Sequence, residues 1–263
     1  MNQSLEVKNK NKVTVLLPVY NEKKAFLKDA IESLINQSFK DWKCLIINEG
    51  KQKENELFIN EILSKDKRFK LLIPKQKIGL AGSLNLGLSH TNTEYVARFD
   101  SDDIMQKERL EIQLKFLEKN KFISVVGSNI FIINDKNKII RLRKYPRFGK
   151  KLYLYFSFRC GLAHPATMFR LKDVKKVGMY NPKLTGAEDL DLWLKMIKNG
   201  YKFFNIQKPL LLYRQSSTRS SKHWSNVYKV RKDNSGIFNK YYEKIILICI
   251  KLIKKSKQFK NIV

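Results

Sequence analysis

Short apolar runs alternate with amphipathic stretches through the first half of the chain. Val13 to Leu17 (VTVLL), ended by Pro18, suits a strand buried on both faces. Between Glu22 and Asn36, residues Phe26, Leu27, Ala30, Ile31, Leu34 and Ile35 recur at helical spacing and predict an amphipathic helix. The alternation continues with a strand at Lys43 to Ile47, a helix at Glu54 to Leu63 and a strand at Phe69 to Ile73. A small-residue helix follows at Leu80 to Leu88, opened by Gly79, then a strand at Tyr95 to Phe99 and a helix at about Lys107 to Lys119. Strands separated by helices of this length predict parallel pairing through right-handed crossovers, an α/β architecture.

The pattern then changes. Phe122 to Ile133 and Lys138 to Leu142 read as strands around an Asn134-Asp135 turn, and Lys151 to Arg159 fits helix or strand equally. Ala166 to Phe169 resembles a strand, and Glu188 to Lys198 a helix stopped by Asn199-Gly200. Tyr241 to Lys255 is apolar but short, with lysines at its end. With no internal repeat and no Pro- or Ser-rich linker, the expected organisation is one domain over residues 1–235 and a basic amphipathic helical extension over 236–263.

Composition narrows the class. At 43% apolar, the 263-residue chain is too hydrophobic to be disordered despite a net charge of +29. No apolar run approaches the roughly 18 residues of a membrane span, and the N-terminus lacks the apolar stretch of a signal peptide. The expectation is a cytoplasmic protein. Three scattered cysteines suit a reducing compartment and no zinc site.

The charge is uneven. Lys136 to Lys172 holds 11 basic residues and no acidic one, and the chain beyond Trp193 is also strongly basic. Nucleic acid, an anionic membrane surface or a general lysine bias would each account for this. The balance of 42 Lys to 11 Arg argues against nucleic acid, which favours Arg and stacked aromatics.

Candidate chemistry gathers at strand ends. Asp100-Ser101-Asp102-Asp103 follows a strand directly, where ligands of open α/β sheets bind. Carboxylates this close repel one another unless a cation such as Mg²⁺ or Mn²⁺ sits among them; the plain alternative is a helix cap. Pro18-Val19-Tyr20-Asn21-Glu22 lies on the same sheet edge, where Tyr20 could stack on a base and Asn21 or Glu22 could bond a ribose. Glu188-Asp189, ahead of Trp193, offers a general base beside a ring-binding aromatic, or simply acids that complement a helix dipole. Adjacent helical residues diverge by about 100°, so Glu188 and Asp189 cannot both face one site. His164 is the histidine nearest these signals, and Arg214 could bring a guanidinium to a phosphate.

Taken in order, these segments resemble family 2 glycosyltransferases of the GT-A fold. The resemblance runs over about residues 12–220. It joins Pro18 to Asn21, Ile31 to Phe39, Gly79-Leu80-Ala81 with Leu84 to Gly87, Glu94 to Asp103, Glu108-Arg109-Leu110 with Gln113, His164 to Met168, Glu188 to Trp193, and Tyr213-Arg214. It implies a Rossmann-like, mostly parallel sheet flanked by helices, and an inverting transferase using a UDP-sugar with Mn²⁺ or Mg²⁺. By that likeness Asp100 would approach the ribose or the metal and Asp102 would hold the metal, with Ser101 between them and Asp103 near the donor sugar. Tyr20, Glu22, Glu49 and Lys77 would surround the nucleotide, and Asp189 would deprotonate the acceptor hydroxyl.

One departure is Asn48-Glu49-Gly50-Lys51, where the family usually carries Asp-Asp-Gly-Ser, which bears on base reading. The Gln-x-x-Arg-Trp motif of processive synthases is absent, so addition of one or a few sugars is expected. The implied acceptor is a glycan or lipid-linked saccharide of lipopolysaccharide, capsule or a related polymer. Tyr241 to Lys255 would then rest on the anionic inner leaflet. Sugar choice would depend on loops near Lys144 to Arg159 and Gln215 to Trp224. Two rival readings stand beside this one: a metal-dependent phosphotransferase or nucleotidyltransferase, and a non-enzymatic basic protein. Against the former, Gly79 to Gly87 lacks the Lys-Ser/Thr ending of a phosphate loop.

Overall fold

A computed structural model describes residues 11–215 and 221–234. The expected extension over 236–263, including Tyr241 to Lys255, lies outside the described residues. In chain order the strands are β1 (Val13–Val19), β2 (Trp42–Asn48), β3 (Phe69–Leu72), β4 (Tyr95–Arg98), β5 (Ile104–Met105), β6 (Ile123–Ile133), β7 (Ile139–Arg143), β8 (Met168–Arg170) and β9 (Lys202–Arg214). The helices are α1 (Lys24–Ile35), α2 (Lys53–Lys65), α3 (Gly79–Ser89), α4 (Arg109–Lys119), α5 (Lys150–Phe158), α6 (Leu171–Lys176), α7 (Glu188–Lys198) and α8 (Ser221–Asp233).

All strands join one sheet in the order β3-β2-β1-β4-β8-β6-β9-β5, with β7 paired to β6. The β3-β2-β1-β4 part is parallel, as βαβ connections require. Beyond β4 the pairing is mixed: β8 is antiparallel to both β4 and β6, and β9 runs parallel to β6. β1 is buried almost throughout, which explains its unbroken apolar run. Leu27, Ala30, Ile31 and Leu34 line the buried face of α1. One core lies under α1, α2 and α4; a second, on the other sheet face, gathers α3, α7 and α8.

Arg109 and Gln113 belong to the scaffold. The Arg109 guanidinium donates to the carbonyls of Arg98 (2.7 Å) and Thr167 (3.2 Å), and Gln113 donates to Ala166 O (2.8 Å), so α4 pins β4 to β8. Of the two stretches tied to sugar choice, the first resolves its helix-or-strand alternative as helix and the second is partly helical. Leu152 and Phe156, one turn apart, are buried and decide α5 as a helix, and α8 already begins at Ser221. The short β5 and α6 lack a periodic pattern of their own. Among the described residues no helix is long and apolar enough to cross a membrane.

Candidate active site

The first two sequence signals follow the parallel strands β1 and β4, and Arg98, in β4, links them to the third: it pairs with Asp100 and lies within charge range of Glu188 at the start of α7. At the first, Tyr20 is 45% exposed and its backbone N–H donates to Glu22 Oε2 at 2.9 Å. Pro18 is the penultimate residue of β1, and Asn21 is exposed beside Glu22. Lys77 Nζ donates to the Tyr20 hydroxyl at 2.8 Å. A Cβ on Gly50 would stand 1.5 Å from the Tyr20 carbonyl oxygen, so only glycine lets the β2 loop close on the β1 loop here. The Glu49 carboxylate, on that loop, accepts from Gly79 N (3.1 Å) at the start of α3 and from the Ser83 hydroxyl. Gly79 sits at φ +69°, which turns the chain into the helix. The longer side chain at position 49 is thus anchored on the α3 N-terminus, a favourable place for an anion.

The second signal lies deeper. Asp100, Asp102 and Asp103 can bring carboxylate oxygens within 4.8 Å of one another. Ser101 and Asp103 are buried. Burial, then the neighbouring Asp100 and Glu22 charges, push the Asp102 carboxyl up to about 7. Asp103 is likewise held well above the ordinary carboxylate range, by burial first, then by Asp100 and Asp102. Its Oδ1 accepts from Arg214 N at 2.8 Å, while its buried Oδ2 has no partner. Three oxygen-bearing acids, a carboxylate crowded by like charge and an orphaned buried oxygen together suit a hard divalent cation. Asp100, Asp102 and Asp103 could each offer it one carboxylate oxygen. Arg98, buried in β4, forms an ion pair with Asp100 and so supplies part of the compensating charge from behind.

Arg214 departs from expectation. Its guanidinium donates to Asp102 O (2.8 Å), Asn134 O (2.9 Å), Asn137 Oδ1 (2.7 Å) and Asp29 Oδ2 (3.4 Å). It is 3% exposed, so it braces the aspartate loop and is not presented to a phosphate.

The third signal sits at the first turn of α7. Glu188 is buried with Oε2 unpartnered, and its carboxyl is raised by burial and then by Asp189. Asp189 is the more accessible of the pair; its Oδ1 accepts from Leu190 N (2.7 Å) and its Oδ2 from the Cys160 thiol (3.4 Å). The two acids diverge as adjacent helical residues must. Trp193 also departs from expectation. It is fully buried, edge-on to His164, Phe169 and Phe203 at centroid distances of 6.0, 6.4 and 6.0 Å. It supports the site from within the core and offers no surface to a sugar ring. His164 is buried as well: its Nε2 pairs with the Tyr180 hydroxyl at 2.9 Å. Burial, then Arg98, hold its imidazole well below the ordinary histidine range, so it is neutral.

Sequence reasoning passed over Arg98, Cys160, Ser83 and Tyr180. Arg98 precedes Phe99-Asp100 in a strand where a charge is costly, and that was the available signal. Cys160 and Tyr180 reach the site only through tertiary packing.

The sequence profile named Glycosyl transferase family 2 matches residues 14–178. An uncharacterised glycosyltransferase of Methanocaldococcus jannaschii is 34% identical over 204 residues, covering 77% of this chain and 70% of that protein. A UDP-Gal:α-D-GlcNAc-diphosphoundecaprenol β-1,3-galactosyltransferase of Escherichia coli is 29% identical over 225 residues, covering 83% and 80%. Among solved structures, S. aureus TarS 1–349 in complex with UDP-GlcNAc superposes with a TM-score of 0.70 at 17% identity, over 91% of this chain and 71% of that one. The fold, the gathered acids and these likenesses agree: the chain belongs to glycosyl transferase family 2 and is a glycosyltransferase of the GT-A fold.

Proposed function

We propose that this enzyme moves a sugar from a UDP-sugar to a hydroxyl of a glycan or lipid-linked acceptor, with inversion and without processivity. The observation that supports this reading is the crowded Asp100-Ser101-Asp102-Asp103 loop, within charge range of Glu22 in the β1 loop and tied through Arg98 to Glu188, the neighbour of Asp189. The donor nucleotide would lie between Tyr20 and the Glu49 loop, with its diphosphate toward Asp100 and Asp102. When bound, Mn²⁺ or Mg²⁺ supplies positive charge against the leaving diphosphate. Arg98 and Arg214 hold the aspartate loop in place for that role. Asp189, steadied by Leu190 N and Cys160, would take the proton of the acceptor hydroxyl as it attacks the anomeric carbon. UDP is favoured as the nucleotide because a UDP-galactose transferase and a UDP-GlcNAc-bound structure stand among the similar proteins.

The galactosyltransferase acts on a lipid-diphosphate acceptor, which supports a lipid-linked saccharide here and a place in surface-glycan assembly, such as lipopolysaccharide or capsule. Action at the inner face of the cytoplasmic membrane follows, with Tyr241 to Lys255 resting on the leaflet. UDP with Mn²⁺ is expected to raise the melting temperature by several degrees at saturating concentration, and GDP with Mn²⁺ to raise it less. Equal shifts for both nucleotides, or none for either, would remove the uridine assignment.

A further inference from the structure

Five of the nine large apolar side chains exposed among the described residues fall between Ile139 and Leu154. That stretch lies within Lys136 to Lys172, which has no acidic residue. A general lysine bias does not explain it, because these 37 residues hold five of the chain's 11 arginines. Arg141, Arg143, Lys144 and Arg147 make no ion pair among the described residues.

Strand β7 organises the patch. It pairs with β6 alone, so its other edge carries no strand among the described residues. The register is Ile133↔Ile139, Ile132↔Arg141, Phe131↔Leu142 and Ile130↔Arg143, with an irregularity that leaves Ile140 as an inserted residue. Opposed residues share a face, so Ile139 and Leu142 point to one side and Arg141 and Arg143 to the other. Without the insertion Ile139 would share the arginine side. Ile139, Ile140 and Leu142 are 49%, 57% and 41% exposed.

We infer that β7 is a membrane-docking strand that sets Ile139, Ile140 and Leu142 at headgroup depth while Arg141 and Lys144 engage anionic lipid phosphates. At that depth the unpaired backbone edge still meets water and phosphate, as it could not in hydrocarbon. Long cationic side chains reach back to the headgroups while short aliphatic ones enter the acyl boundary. Nucleic acid would leave the isoleucines without use, since it is bound by aromatic stacking. A second copy of the chain would bring arginine against arginine with no acid in the patch to relieve it. The strand also lies toward the acceptor side: the Tyr145 hydroxyl neighbours Arg143, Tyr155 and Cys160, and Cys160 touches Asp189. An acceptor anchored in the leaflet would therefore be presented close to the base.

This inference rests on the proposed membrane contact and names a surface for it other than Tyr241 to Lys255. The test is co-sedimentation of the full chain with vesicles of phosphatidylcholine alone and of a roughly three-to-one mixture with phosphatidylglycerol. The wild type is expected to pellet with the anionic vesicles, less so as salt rises, and hardly with the neutral ones. R141A/K144A should weaken binding about fivefold for each charge removed, and I140S/L142S about tenfold. Both should keep the wild-type melting temperature and its shift with UDP and Mn²⁺. If both bind as the wild type while K254E/K255E does not, the docking strand is refuted and the membrane contact stands. If the wild type ignores anionic vesicles, the membrane contact itself fails and the docking strand with it. A dimer in solution that I140S/L142S dissolves would likewise overturn the lipid assignment.

Discussion

Asp102→Asn is expected to lower metal-dependent sugar transfer by about 10²- to 10³-fold and, in the same protein, to raise the melting temperature of the metal-free form. The second half of this result follows from the crowding of the aspartate loop. Burial, with Asp100 and Glu22 close by, lifts the Asp102 carboxyl to about 7 from an ordinary value of 3.8. A carboxyl raised on folding binds more protons in the native state than in the unfolded one. Its stabilising contribution is present below about pH 4 and is lost as pH rises through 7. At pH 8 in chelator, the wild type therefore carries the full repulsion, and the asparagine variant does not. A gain of at least about 2 °C is expected there, shrinking toward pH 5. A divalent cation should stabilise the wild type more strongly at pH 8 than at pH 5, because it competes with protons for the same oxygens. Calorimetry across this range checks both signs. A variant that loses activity and stability together would mean that Asp102 holds the fold and not a ligand.

Asp189→Asn is expected to lower kcat by about 10²- to 10⁴-fold while leaving the thermal shift with UDP and Mn²⁺ intact. The asparagine retains the shape and can still accept from Leu190 N, so the α7 start should be preserved. It removes the more accessible carboxylate of the Glu188-Asp189 pair. Glu188 cannot substitute, since it is buried away from an acceptor. Loss of nucleotide binding in this variant would place Asp189 in the donor pocket and not beside the acceptor. Together the two substitutions separate the halves of the site, one acting on the donor and the other on the attacking hydroxyl.

Both positions were visible in the sequence because they sit at element boundaries. Val13 to Leu17 and, but for Arg98, Tyr95 to Phe99 are largely apolar runs with only one place to go in an α/β sheet, and the acids that follow them reach the same edge. The Glu188 helix was legible from its apolar period and its Asn-Gly stop. The mixed half of the sheet was less so. β8 lies between β4 and β6, and β9 reaches back past β6 to β5, pairings between distant segments that no local pattern encodes. For the same reason Arg214 looked like a free cation at a strand end. Its four acceptors come from Asp29, Asp102, Asn134 and Asn137, which only the fold brings together. Trp193 follows Asp189 by one helical turn, yet His164, Phe169 and Phe203, from distant segments, cover that turn and leave the indole in the core.

The most direct test of the central claim is the product released from a UDP-sugar with and without metal. Wild-type enzyme incubated with UDP-glucose, UDP-galactose and their N-acetylated forms should release UDP from at least one of them. That release should require Mn²⁺ or Mg²⁺, increase with acceptor and nearly vanish in Asp102→Asn. Release of inorganic phosphate in place of UDP, or UDP release indifferent to metal and to Asp102, would contradict the account.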